Sequence, residues 1–212
     1  MNRPAGRDIN YLRLSITDRC NLRCLYCLPR QGWDKLPAPE ILRYEEFLRL
    51  ARVAVTAGIK KIRVTGGEPL VRKGIIPFLQ QLAEIPGLEQ LVLTTNGVLL
   101  EQMAADLRAA GVQRLNISLD SLHPETFRQI SRCGDLACVL AGIEKAQEQG
   151  FPLKLNMVVM RGINDHEILD FVRLATTSGI TVRFIEYMPA IRALDWRWFG
   201  RRSRRGRKLL CS

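Results

Sequence analysis

Leu12-Arg13-Leu14-Ser15-Ile16-Thr17-Asp18-Arg19-Cys20-Asn21-Leu22-Arg23-Cys24-Leu25-Tyr26-Cys27 is the stretch from which the rest of the chain can be read. Residues 12–17 are a strand-like run, Asp18 and Arg19 break it, and three Cys follow in the pattern CxxxCxxC. A strand that opens directly into three closely spaced thiols places them in the loop at its C-terminal end. With six Cys in 212 residues, that spacing arises by chance about once in two hundred such chains.

The same rhythm of apolar run, polar break and helical pattern continues outward from this start. Further strand-like runs fall at residues 61–65, 90–94, 114–119, 153–160 and 181–187. Amphipathic helical patterns lie between them at residues 45–57, 75–85, 99–110, 136–149 and 167–178. Gly58, Gly111, Gly150 and Gly179 stand where helix C-caps belong. Asn96-Gly97 and Ile163-Asn164-Asp165 read as turns. Six β/α units in alternation predict a parallel sheet covered by helices. An open doubly wound sheet and a partial barrel both satisfy the pattern, since a complete eight-unit barrel takes about 250 residues. In either architecture ligands bind at the C-terminal ends of the strands. No linker or domain boundary interrupts the chain before about residue 189, so residues 1–188 read as one core domain.

Composition narrows the function classes. Hydrophobic residues make up 47% and charged residues 25%, which is ordinary globular usage and excludes a disordered, collagen-like or disulfide-scaffold chain. No apolar run approaches the ~20 residues of a membrane span. The first ten residues are polar, with no apolar segment of a secretion signal. A cytoplasmic protein is the expectation, and there Cys serve as metal ligands or free thiols. The net charge of +11 is uneven: residues 189–212 carry seven Arg and one Lys against one Asp, leaving only +4 on residues 1–188.

Three thiolates suit a soft metal. Two sites remain open on the residues alone. One is a zinc knuckle completed by a distant fourth ligand, although neither His123 nor His166 is near and no second CxxC exists. The other is a four-iron cluster, where three ligands leave one iron free for chemistry. Cys133 and Cys138 lie in or beside a helical segment away from the motif and read as buried or free thiols. His123 and His166 precede helical patterns and read as capping or surface residues.

Cys20–Cys27, with Tyr26 before the last Cys, resembles the cluster motif of radical S-adenosylmethionine (SAM) enzymes. Val64-Thr65-Gly66-Gly67-Glu68-Pro69, after the second strand, resembles that family's glycine-rich stretch. Further blocks resemble the GTP 3′,8-cyclase family within it: residues 12–21, 61–67, 93–97, 116–120, 162–165 and 183–188. The resemblance covers roughly residues 7–188. It implies a partial TIM-type barrel of six β/α units and one 4Fe–4S cluster on Cys20, Cys24 and Cys27. SAM would be cleaved there to a 5′-deoxyadenosyl radical that starts conversion of GTP to (8S)-3′,8-cyclo-7,8-dihydroguanosine 5′-triphosphate in molybdenum cofactor biosynthesis. It further implies that Tyr26, Gly67, Ser118 and Met188 line the SAM site and that Arg13, Arg63, Thr94 and Lys154 contact GTP. No catalytic side chain beyond these is implied. An electron donor is required, and a homodimer is left open.

The physical logic of these positions is consistent with the resemblance. Gly67 has no Cβ, which would let the SAM amino-acid end approach the backbone. Arg13 and Arg63 sit in strand-like runs, where an unpaired cation is costly. Either a triphosphate or an inward carboxylate, such as Asp120 or Glu186, would relieve that cost.

Beyond residue 188 the resemblance stops. That family continues into a region whose second Cys cluster holds GTP, whereas here only Cys211 remains, within an Arg/Trp-rich segment. The change reads as a shifted reading frame or truncated gene, which predicts a disordered basic tail, little cyclised product from this chain alone, and an apolar barrel mouth left uncovered. The competing readings are a non-catalytic zinc-binding module with a segment that binds nucleic acid or an anionic membrane, and a radical SAM enzyme acting on another substrate.

Overall fold

A computed structural model describes residues 9–27, 36–37 and 40–188. The basic segment 189–212, with the disorder expected of it, lies outside the described residues.

Six strands, β1 (Tyr11–Ser15), β2 (Lys61–Thr65), β3 (Gln90–Thr95), β4 (Arg114–Ser118), β5 (Leu153–Val159) and β6 (Thr181–Glu186), alternate with helices. The helices are α1 (Tyr44–Thr56), α2 (Ile75–Ala83), α3 (Leu100–Ala109), α4 (Pro124–Ser131), α5 (Leu136–Glu148) and α6 (Ile168–Ser178). The strands form one sheet in the order β1-β2-β3-β4-β5-β6, and every neighbouring pair is parallel. A parallel sheet whose strands follow chain order carries its crossovers on one side. It curls into the expected partial barrel, helices outside. Among the described residues no helix is long and apolar enough to cross a membrane.

Sequence explains the elements locally. In α1, Phe47, Leu48, Ala51 and Val55 form one buried stripe, and Glu46 reaches back to the Arg43 backbone N–H at its start. Asp135 caps α5 by accepting from Ala137 N. Pro124 opens α4 at a position that needs no N–H donor. All four glycines expected after helices adopt left-handed backbone, as Gly111 (φ 83) and Gly179 (φ 68) illustrate.

Strand residues alternate between two environments. Leu14, Ile62, Val64, Leu91, Leu93, Leu115, Ile117, Leu155 and Met157 face the helices and form the core. The intervening residues face the concave interior. They are Tyr11, Arg13 and Ser15; Lys61, Arg63 and Thr65; Gln90, Val92 and Thr94; Arg114, Asn116 and Ser118; Lys154, Asn156 and Val158; Thr181, Arg183 and Ile185. The interior of this barrel is therefore polar and basic.

Candidate functional site

The cluster loop is held by neighbours on three sides. Cys27 N donates to Cys24 O (3.0 Å), closing a turn. Arg23 N and Leu25 N donate to Ser131 O (3.0 Å) and Ile130 O (2.9 Å), which pins the loop to the end of α4. Asn96 donates through Nδ2 to Asn21 Oδ1 (2.7 Å) and reaches Cys20 Sγ at 3.8 Å. Leu22 N also donates to that sulfur, at 3.3 Å. Backbone N–H groups aimed at sulfur favour a thiolate.

Gly66 and Gly67 are required by this loop. Gly67 N donates to Thr17 O (2.7 Å) and Glu68 N to Arg19 O (2.8 Å). A Cβ on Gly67 would collide with Arg19 O and lie 2.7 Å from its carbonyl carbon; one on Gly66 would lie 2.7 Å from Thr17 O. The expected reason for glycine, open approach for a ligand, is therefore joined by a stronger one. The adjacent Glu68 is 1% exposed and accepts from Leu70 N, Thr95 Oγ1 and Asn96 N at 3.1, 2.8 and 2.6 Å. Burial pushes its carboxyl up to about 7 despite those three donors.

All three thiols resist ionisation as bare groups. Burial pushes Cys27 up to about 11, with Asp120 and Cys20 adding to it. Cys24 is raised well above the usual thiol range, first by burial and then by Asp120, Cys27, Cys20 and Cys133. Cys20 is raised by burial, against the Leu22 N–H. A cationic iron core would neutralise these crowded charges, and metal binding would release the protons. Among the described residues no three His, Cys, Asp or Glu side chains gather closely enough for a single metal ion. Three thiols on one loop, with Leu22 N donating to Cys20 Sγ at 3.3 Å, offer one thiolate to each of three irons of a 4Fe–4S group.

Cys133 needs correction. It was expected away from the motif, yet its thiol donates to Asn21 O at 3.5 Å. Arg132, in left-handed backbone (φ 67), turns the chain back toward the loop. Cys133 and Cys138 are free thiols, one of the two states expected of them, and both are exposed. His123 and His166 are surface residues; their rings stack at 6.4 Å, and His123 occupies the α4 N-cap without a side-chain capping bond.

Above the barrel, Tyr26 OH donates to Asp120 Oδ2 at 2.6 Å, and Val158 N donates to Asp120 Oδ1 at 2.8 Å. Asn164 donates to Asp120 O (2.7 Å) and Val158 O (2.9 Å), lacing β4 to β5. Asp120, pushed up to about 6 by burial, is thereby committed, and the expected alternative of an Asp120 salt bridge to Arg13 or Arg63 does not form. Glu186 falls on the outward side of β6 and offers no such partner either. Tyr26, Gly67 and Ser118 share the C-terminal rim. Met188 follows β6 and is 70% exposed, so it is no core methionine.

Inside the barrel the register groups the basic residues. Arg13 pairs with Arg63, Arg63 with Val92, and Val92 with Arg114; Thr94 pairs with Asn116 and Asn116 with Lys154; Asn156 pairs with Arg183. Arg13, Arg63 and Thr94, three of the four residues expected to contact GTP, line a cleft of about 470 Å³ with Thr65, Asn156, Arg183, Phe184 and Ile185. Lys154, the fourth, lies beyond that lining but within electrostatic reach of Arg63 and Arg183. Sequence reading missed Lys61, Arg114 and Arg183. Parity puts Lys61 on the same face as Arg63 and Arg114 on the same face as Asn116, but which face turns inward is set by the curl of the sheet.

These cations repel one another. Burial lowers Lys61 and Lys154, and Arg114, Arg63 and Arg183 lower both further. Lys61 and Arg63 lie over the Tyr11 ring at 5.5 and 5.1 Å. Five buried side-chain atoms lack a partner among the described residues: Tyr11 OH, Arg63 Nε, Thr94 Oγ1, Arg114 Nε and Asn116 Nδ2. All five belong to lumen-facing positions. Buried donors left open in this way are costly unless a ligand accepts from them.

Comparison with known proteins agrees with this geometry. Residues 14–175 match the model of the radical SAM superfamily. The chain is 66% identical over 192 residues to a GTP 3′,8-cyclase of Geobacter sulfurreducens, covering 90% of this chain and 59% of that protein. It is 54% identical over 185 residues to the corresponding enzyme of Heliobacterium modesticaldum, covering 87% and 57%. The chain thus spans somewhat under three-fifths of the length of these curated relatives. In fold it is similar to Streptococcus suis SuiB, with a TM-score of 0.70 at 19% identity over 84% of this chain and 40% of that one. A match over most of its length, joined to a thiol loop and glycine-rich strand end in the required places, makes this chain a member of the radical SAM superfamily.

Proposed function

We propose that this chain provides the SAM-cleaving centre and the triphosphate pocket of a GTP 3′,8-cyclase, at the start of molybdenum cofactor biosynthesis. Cys20, Cys24 and Cys27 would hold the cluster, and Tyr26, Gly67, Ser118 and Met188 would line the SAM site. When bound, the cluster and SAM together supply a 5′-deoxyadenosyl radical, on receipt of one electron from an external donor. Arg13, Arg63, Thr94 and Lys154 hold the triphosphate, joined by Lys61, Arg114 and Arg183. A nucleotide anchored on these rows would have its sugar directed toward the rim that carries the thiols.

The observation that carries the reading is the set of five unpartnered polar atoms, all facing a lumen lined by six cations. The test is anaerobic reconstitution with iron and sulfide, then SAM, dithionite and GTP deuterated at C3′. The expected result is 5′-deoxyadenosine carrying deuterium, with none formed by Cys24→Ala. Formation of 5′-deoxyadenosine without deuterium would leave SAM cleavage standing and overturn GTP as the hydrogen donor.

A further inference from the structure

Nucleotide sites that take a magnesium complex offer the metal one or two carboxylates beside the phosphates. The described barrel wall offers none. Its eighteen inward positions, three per strand, include no Asp or Glu. Asp120 is engaged with Tyr26 and Val158, Glu68 with Leu70, Thr95 and Asn96, and Asp18 with Leu36 N; Glu186, at the end of β6, alternates away from Arg183 and Ile185 and forms no described ion pair with the inward cations. In place of metal ligands the wall carries Arg13, Lys61, Arg63, Arg114, Lys154 and Arg183. No described ion pair involves any of these six.

We propose that the pocket takes its polyphosphate ligand as the bare anion and discriminates against the magnesium complex. This rests on the triphosphate reading above. A terminal phosphate carries about −1.5 to −2, and each inner phosphate one more, so a free nucleoside triphosphate approaches −4. Magnesium removes two of those charges and occupies oxygens on two phosphates. Both losses matter here. The six cations repel one another until an anion of comparable charge arrives, and the open donors of Arg63, Arg114, Asn116, Thr94 and Tyr11 need uncommitted oxygen acceptors. A hydrated magnesium ion would also have to sit among guanidinium groups with no protein oxygen of opposite charge beside it, a position Coulomb repulsion makes unfavourable.

The test is titration calorimetry on the full chain, with sodium tripolyphosphate and with GTP, in EDTA and in millimolar excess Mg²⁺. Both ligands should bind in EDTA, and Mg²⁺ should weaken each by at least about tenfold. Binding that requires Mg²⁺, that Mg²⁺ leaves unchanged, or that fails under every condition overturns the proposal. Should tripolyphosphate bind metal-free while GTP binds no better, the guanosine reading falls and the bare-anion pocket stands. A second readout uses Mn²⁺ as spin probe: its electron paramagnetic resonance with GTP should be unaltered by the chain, and a protein-bound Mn²⁺–nucleotide signal would count against the proposal. Arg114→Gln and Arg183→Gln should each weaken tripolyphosphate about tenfold or more. Retained thermal unfolding transitions would show that this loss is not loss of fold, and undiminished binding by both variants would contradict the assignment.

Discussion

Gly67 and Asp120 show how single residues fix the loop that carries the thiols. Overpacking against backbone costs roughly 1–3 kcal/mol, and the atoms a Gly67 side chain would strike are the Asp18–Arg19 backbone leading into Cys20. Gly67→Ala should therefore cut iron retained after anaerobic reconstitution to under half, measured as iron per chain, while the sheet stays folded. Asp120 acts through pH. Its carboxyl, near 4 in an unfolded chain, is pushed up to about 6 by burial, so the folded state holds the proton more tightly. Its contribution to stability is then most favourable below about pH 4 and is lost as pH rises through 6, by up to ~3 kcal/mol at 1.36 kcal/mol per pH unit. Asp120→Asn keeps an acceptor for Val158 N and removes the buried charge. Urea unfolding of the metal-free chain should show the variant gaining on the parent between pH 4 and 7; a constant difference across that range would contradict the assignment. The three thiols stood out because their spacing is improbable by chance, whereas Tyr26 and the glycine pair stood out only through the family resemblance. The second role of Gly67 was not, since it depends on which backbone crosses it.

Among the elements, α3 and α5 pack where Gly142 lets them touch. In an isolated helix Gly→Ala gains roughly 1 kcal/mol. Here a Cβ would lie 2.7 Å from Gly97 O and 2.9 Å from Leu100 Cβ, so overpacking outweighs propensity. Gly142→Ala should lower the thermal midpoint by about 2–8 °C for a loss of 1–2 kcal/mol. The six strands and most helices were readable because apolar periodicity and glycine stops agreed. What periodicity withheld was the side of the sheet that curls inward. Without it Lys61, Arg114 and Arg183 were ordinary strand cations, and with it they join Arg13 and Arg63 on one wall. Cys133 was hidden for a related reason: the left-handed Arg132 (φ 67) that brings it to Asn21 has no signature in its side chain.

On the scale of the whole molecule, a lumen of like charges makes the ligand-free chain self-repelling. Functional sites commonly trade stability in this way. Arg114→Gln should raise the thermal midpoint of the ligand-free chain by a few degrees while weakening polyphosphate binding. Added salt should stabilise the parent more than this variant, because screening acts on the repulsion the variant lacks; equal salt responses would argue against mutual repulsion. The sheet also has two ends. β1 and β6 are its edge strands, and among the described residues no backbone ladder joins them, yet Arg13 of one and Arg183 of the other line the same cleft. A polyanion accepting from both becomes a clasp across the seam, closing with phosphate oxygens a ring that amide hydrogen bonds leave open. Amide hydrogens of β6 should then exchange more slowly once tripolyphosphate is bound. In this barrel the guest serves as the missing stave.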